Sequence, residues 1–345
     1  MRNKSPQFWL LAAIVTLGAA LRFWGLQWGL PYEYQSEEYK IVKYALRMGG
    51  GDLNPHFFEY PSLYLYVMLA VYGIYFVIGR IFGVFAGSHE FALSFVKDPT
   101  MFYLMGRVIE ASCGAAMVYV TFWVGRRFYS EKTGLIAAFF VAALPDLIYV
   151  SHIFKGYMGM MILLFAFFYW CVRMSESGRT RDYVIASLFL GLAISTRYHA
   201  APFGIVLVWA HFYRLYFAQD NVTESSWKEH GKFVLSLALI PVFFYVATPY
   251  ALITPLEFWR DLGANVKVYS GITGTEGPLI SRMGIAANRL YFLGDIGVPR
   301  WCAAILAGGG LAGLFAVQAK DIFLILPIVT YYFIVGGYHN PAAGY

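Results

Sequence analysis

The residues best suited to chemistry lie in one polar stretch near the start of the chain: Glu33, Ser36-Glu37-Glu38, then Asp52, Asn54, His56 and Glu59. Ser36 suits a helix N-cap, which puts Glu37 and Glu38 in the first turn, where the helix dipole favours ionised carboxylates. Two first-turn glutamates often do no more than stabilise a helix, and residue types alone favour that reading. The functional alternative is a carboxylate base held at a membrane–water boundary, ready to take a proton from a hydroxyl.

A second set of candidates is cationic or acidic and sits in apolar surroundings: Arg22, Arg107, Glu110, Asp146, Lys155 and Arg197. An ionisable side chain inside or at the end of a membrane span is costly unless it is paired or used. Arg107 and Glu110 are three positions apart on one helix, a spacing that lets them pair with each other. Arg197, followed by Tyr198 and His199, has no acid within a helical turn. A phosphate is a natural partner for it, because guanidinium matches phosphate oxygens in a forked geometry.

The elements that must position these groups are membrane helices. Of 345 residues, 59% are hydrophobic and 13% charged, against about 45–50% and about 25% in soluble proteins. Apolar runs recur near 8–26, 61–86, 102–125, 133–150, 157–172, 183–199, 201–217, 232–253, 299–317 and 321–337. Each approaches the length needed to cross a hydrocarbon core of roughly 30 Å, so the expected architecture is an all-α, polytopic bundle of roughly nine or ten spans. It forms a single transmembrane domain over 1–345. The run 8–26 is expected to be a retained helix rather than a signal peptide, since no small-residue cleavage site follows and Phe23, Trp24 and Trp28 continue it as an interfacial belt. A net charge of +6 is too small and scattered to argue for nucleic acid. Cys113, Cys171 and Cys302 lie far apart in apolar segments and read as buried thiols. No ligand cluster requires a metal or other cofactor.

Lys and Arg in short loops mark the cytoplasmic side. Arg126, Arg127 and Lys132 in one turn, and Arg173, Arg179 and Arg181 in another, are both inside only if 61–86 does not make a plain crossing. That Tyr-rich stretch is therefore expected on the outer surface or as a re-entrant segment. Residues 27–100 become a first outer loop with surface-lying helices, and 254–298 a second. Within the first, Ile41, Val42, Ala45 and Leu46 oppose Glu37, Lys40, Lys43 and Arg47, an amphipathic helix ended by Gly49-Gly50-Gly51. The sequon Asn221-Val222-Thr223 falls inside and is expected to be unmodified.

The order of short motifs resembles the polyprenyl-phosphate-sugar-dependent glycosyltransferases of the GT-C fold, in particular the dolichyl-phosphate-mannose protein mannosyltransferase and aminoarabinose transferase group. The resemblance runs over about 15–260. It rests on Gly29-Leu30-Pro31-Tyr32 through Ser36-Glu37-Glu38, on Gly51 to Phe58 and on Tyr60-Pro61-Ser62-Leu63-Tyr64. Gly106-Arg107, Gly125-Arg126-Arg127, Pro145 with Ser151-His152, Ser195-Thr196-Arg197-Tyr198 and Pro249-Tyr250 follow in the family's order.

It implies transfer of a sugar from a polyprenyl-phosphate donor to an acceptor hydroxyl on protein, lipid or glycan, at the outer face of a prokaryotic plasma membrane. Glu37, with Glu38 beside it, takes the catalytic place. Asp52, His56, Arg107, His152, Lys155, Arg197 and Tyr198 are the implied substrate-binding set. Two departures stand out: Gln35-Ser36-Glu37-Glu38 replaces the usual His-Pro-Asp-Glu, and Tyr157 stands where a second aspartate is common. The resembled proteins continue through further helices beyond the point matching Tyr345. A catalytically silent binder of lipid-linked sugar and a lipid or sugar transporter are the alternatives; the latter lacks the internal repeat it would be expected to carry.

Overall fold

The computed structural model describes residues 6–32, 36–217, 226–273, 321–323 and 325. Expected segments 299–317 and most of 254–298 and 321–337, together with Cys302 and the sequon at Asn221, lie outside these residues. Every regular element described is helical: α1 (Pro6–Phe23), α2 (Ser36–Met48), α3 (Leu63–Ile81), α4 (Ser88–Lys97), α5 (Thr100–Phe128), α6 (Glu131–Ala143), α7 (Pro145–Ser151), α8 (Tyr157–Ser177), α9 (Thr180–Thr196), α10 (Gly204–Phe217), α11 (Ser226–Ala247), α12 (Tyr250–Ile253) and α13 (Pro255–Thr273), with a 3-10 turn at Tyr198–Phe203.

Five of these, α1, α3, α5, α8 and Trp227–Ala247 of α11, are long and apolar enough to cross a membrane, and the bent pair α6–α7 adds a sixth. The chain is an all-α polytopic membrane protein. The expected span 133–150 is broken, because Pro145 cannot continue the helix and Leu144 before it is extended, giving a 60° bend. At 17 and 14 residues, α9 and α10 are shorter than the roughly 20 residues of a typical span. The stretch expected on the surface, 61–86, contains a 19-residue helix that by length and composition can cross.

The residues divide into two compact units, one of Met1–Ala166, Gly191–Tyr198 and Phe243–Pro255, the other of Phe167–Leu190, His199–Val242 and Leu256–Tyr345. In the first, α5 packs along α1 and α6. Ile14, Val118, Phe122, Leu135 and Ala138 form their shared core. Gly18 permits a close approach of α1 to α5, since a β-carbon there would lie 2.8 Å from Val118 Cγ2. Arg22 ends α1 by donating to the carbonyls of Gly18, Val141 and Ala142, so its buried charge is held by backbone dipoles. A second core joins α2, α3 and α5 through Ile41, Val42, Met48, Leu65, Met68 and Phe102.

In the second unit α10 and α11 carry a buried ion pair, Arg214 with Glu229 at 3.2 Å, joined by Lys232 at 3.3 Å. Tyr183, His211 and His230 form a hydrogen-bonded chain in the same unit.

Candidate active site

The amphipathic pattern of 36–48 folds as expected. Ile41, Val42, Ala45 and Met48 are buried, and the amides of Gly49, Gly50 and Gly51 close the last turn on the carbonyls of Leu46, Arg47 and Met48. Glu38 lies on that buried stripe, three and four positions before Ile41 and Val42, while Glu37 is turned about 100° away. The two neighbours consequently have different environments.

Glu38 is 2% exposed and fully engaged by the protein. Arg107 grips it in a fork, Nε to Oε1 at 2.9 Å and Nη2 to Oε2 at 2.8 Å. The Phe154 amide donates to Oε1 at 2.8 Å. Arg107 Nη1 also donates to the carbonyls of Leu26 and Trp28. Glu38 therefore ties α2 to α5, to the turn after α1 and to the segment 152–156. This overturns the pairing of Arg107 with Glu110. Glu110 instead accepts from the Met158 amide at 2.8 Å at the start of α8. Three-residue spacing allowed the local pair, but each side chain found a partner on another element.

Glu37 faces a cationic corner. Arg197 Nη2 donates to its Oε2 at 2.9 Å, and Lys155 Nζ lies 3.8 Å from Oε1. Arg197, 2% exposed, also donates through Nε to the Lys155 carbonyl at 2.7 Å and through Nη2 to the same oxygen. Its guanidinium lies over the rings of Tyr60 and Tyr157, 4.2 and 4.6 Å from their centroids, an arrangement that stabilises a desolvated cation. Burial pushes the Glu37 carboxyl up, but the Arg197 and Lys155 charges and the Arg197 hydrogen bond outweigh it and hold the group below its ordinary value. Glu37 is thus ionised at neutral pH, and its side chain keeps 25% exposure, so a substrate can reach it.

The remaining predicted residues fall into two groups. Asp52, Asn54 and His56 knot the loop after α2: Asp52 accepts from the Asn54 amide at 2.9 Å and contacts His56 Nε2 at 3.0 Å, and Asn54 Oδ1 accepts from the His56 amide at 3.1 Å. Those hydrogen bonds, led by the Asn54 amide, lower the Asp52 carboxyl, and His56 takes a left-handed φ of 47° to close the knot. His152 and Tyr198 bind backbone. His152 contacts the carbonyls of Ile148 and Trp24 at 2.7 and 2.8 Å, and Tyr198 donates to the Phe58 carbonyl at 3.0 Å. Tyr60 and Tyr157 were not among the expected binding residues, and only the tyrosines flanking the motifs hinted at a ring-covered cation. Among the described residues no group of three or more His, Cys, Asp or Glu is placed to hold a metal.

Residues 100–247 match the model of the dolichyl-phosphate-mannose-protein mannosyltransferase family. The match supports a membrane glycosyltransferase of the GT-C type. It contains Arg107, His152, Lys155, Arg197 and Tyr198, while Glu37 and Glu38 precede it. No curated protein and no solved structure matches the chain.

Proposed function

We propose that the Glu37 corner transfers a sugar from a polyprenyl-phosphate donor to an acceptor hydroxyl on the outer face of the membrane. The observation that carries this is the shared contact of one carboxylate with two cations, Arg197 at 2.9 Å and Lys155 at 3.8 Å. Arg197 uses Nε and Nη2 in its hydrogen bonds, leaving Nη1 for a donor phosphate oxygen, with Lys155 as the second cation.

In the reaction the acceptor oxygen attacks the anomeric carbon, the bond from that carbon to the phosphate oxygen breaks, and the acceptor proton passes to Glu37. Before transfer the corner holds the Glu37 carboxylate and a singly charged phosphodiester. Afterwards it holds a neutral carboxylic acid and a doubly charged phosphate monoester. Negative charge thus moves from carboxylate to leaving group beside the same two cations, so they need not be rearranged as the charge develops. A carboxylate held below its ordinary pKa is a weak base, and its proton uptake is favoured only as the attacking oxygen becomes acidic in the transition state. Glu38 and Arg107 act as the support that fixes α2, not as acceptor-binding groups.

A second reading, a silent binder of lipid-linked sugar, is favoured by the same ion pair, which alone would also serve as a structural clasp. The test is release of free polyprenyl phosphate from a synthetic donor by the purified chain with candidate acceptors. Release that disappears in Glu37→Gln while donor binding persists supports the enzyme. Donor binding without release, across protein, lipid and glycan acceptors, supports the binder.

A further inference from the structure

Helix α8 begins at Tyr157 with no side chain of its own at the cap position. Gly156 stands there, its carbonyl accepting from the Met160 amide, and its φ of 80° disfavours the usual capping residues serine and threonine. The missing acceptor comes from another helix. Glu110 of α5 takes the Met158 amide on Oε2 at 2.8 Å. A carboxyl wholly buried in a membrane helix is costly unless it is paired or used.

The contact at Met158 is one of two that grip the same short turn. At the other end Glu38 takes the Phe154 amide at 2.8 Å. Gly106 of α5, four positions before Glu110, lets the Phe154 ring lie against that helix, since a β-carbon there would overlap the ring. Two buried acids thus hold residues 154 and 158, and between them stand Lys155, Gly156 and Tyr157. Lys155 supplies the ammonium 3.8 Å from Glu37 and the carbonyl that Arg197 grips. Tyr157 supplies one of the rings against the Arg197 guanidinium. A displacement at Met158 is therefore passed to both cations of the corner. We propose that Glu110 is a positioning residue for the donor phosphate: by holding the Met158 amide it fixes the turn 154–158, and with it the place of Lys155. The inference rests on the donor reading of the corner and adds to it a residue that touches neither donor nor acceptor.

The test compares variants of the full chain in one detergent, by titration with a labelled polyprenyl-phosphate sugar and by amide hydrogen exchange without donor. Glu110→Met keeps the length of the side chain but offers no comparable acceptor, and should weaken donor binding about tenfold through the misplaced cations. Glu110→Gln should stay within about threefold of wild type, because its amide oxygen can still take the Met158 N–H. In a Lys155→Ala background, Glu110→Met should cost less than about threefold, since residues acting through one another are not additive. Exchange in the peptide covering 154–158 should be about tenfold faster in Glu110→Met and unchanged in Glu110→Gln. If Glu110→Met does not fold, Glu110→Asp, whose carboxyl stops one carbon short, takes its place with the same expectation. Faster exchange with unchanged donor affinity would make Glu110 a brace and overturn the positioning role. An equal loss in Glu110→Gln, or the full loss in the Lys155→Ala background, would overturn it as well. Absence of donor binding in the wild type would instead sink the donor reading, and the phosphate role with it, while the exchange comparison still shows whether Glu110 holds the turn.

Discussion

Arg197 Nη2 and Glu37 Oε2 lie 2.9 Å apart although 160 positions separate them in the chain. The contact brings the end of α9 against the first turn of α2. It couples the two groups that the proposed reaction needs most, a proton acceptor and a holder of the donor phosphate. Because Arg197 is also fixed by the Lys155 carbonyl and the Tyr60 and Tyr157 rings, the carboxylate is oriented by a cation that itself has little freedom.

Glu37→Gln is expected to lower sugar transfer by about a hundredfold to ten-thousandfold, the range for losing a positioned general base. Donor affinity should stay within about threefold, since the amide keeps the shape and can still accept from Arg197. Transfer and donor binding measured on the same preparation check this. Transfer near the wild-type rate would move the search for the base to Asp52.

The neighbouring residue is expected to behave differently. Glu38→Ala leaves Arg107, 6% exposed at its side chain, without its carboxylate, and breaking a buried pair from one side costs about 3–5 kcal/mol. The expected result is a large drop in unfolding temperature, with loss of transfer following from loss of structure. Replacing both partners, Glu38→Leu with Arg107→Leu, should recover most of the stability. Thermal unfolding of the three variants in one detergent decides it.

How far this site could be read from the chain follows from which contacts are local. The α2 helix was legible because its apolar period and its terminal glycines both act within a few residues. Glu37 and Arg197 each stood out by type and surroundings, yet nothing in the sequence joined them, since a contact across 160 positions has no local signature. The spacing of Arg107 and Glu110 pointed the wrong way, because it reports what a helix permits and not what packs against it. Glu38 was readable in principle: its register with Ile41, Val42 and Ala45 puts it on the buried face.

Arg197→Ala should weaken donor binding by about fiftyfold or more, through loss of a charge-assisted phosphate contact. Arg197→Lys should restore only part of it, because an ammonium cannot hold the Lys155 carbonyl, Glu37 and a phosphate oxygen in one plane. Lys155→Ala should have a smaller effect of the same sign. Titration with a labelled donor checks the order, and unchanged affinity in the alanine variant would make Arg197 purely structural.

The acidity of Glu37 supplies a stability test with a definite sign. Its folded-state pKa lies below the ordinary 4.5, so the folded protein holds the ionised form more strongly than the unfolded chain does. The pair's contribution is therefore complete above the unfolded value and is lost as pH falls through 4.5 towards the lower folded value. The difference in unfolding temperature between wild type and Glu37→Gln should be constant from about pH 6 to 8 and shrink below about pH 4.5. A difference that grew on acidification would mean the pair is not ionic.

The last prediction concerns sidedness, which the length of α5 makes testable without assuming which side is outside. Arg107 and Arg126 bracket about 28 Å of continuous helix, so the loop bearing Asp52 and the turn after Phe128 should open on opposite surfaces. Leu53, 49% exposed, and Tyr129, 54% exposed, are suitable positions for single cysteines in a background lacking the native ones. The basic turn at Arg126, Arg127 and Lys132 should resist translocation, so a membrane-impermeant maleimide added to intact cells should label Leu53→Cys and spare Tyr129→Cys until the membrane is opened. Reversed labelling would put the Glu37 corner on the cytoplasmic face and exclude an outer acceptor. Labelling of both from outside would mean that α5 does not cross as a single span.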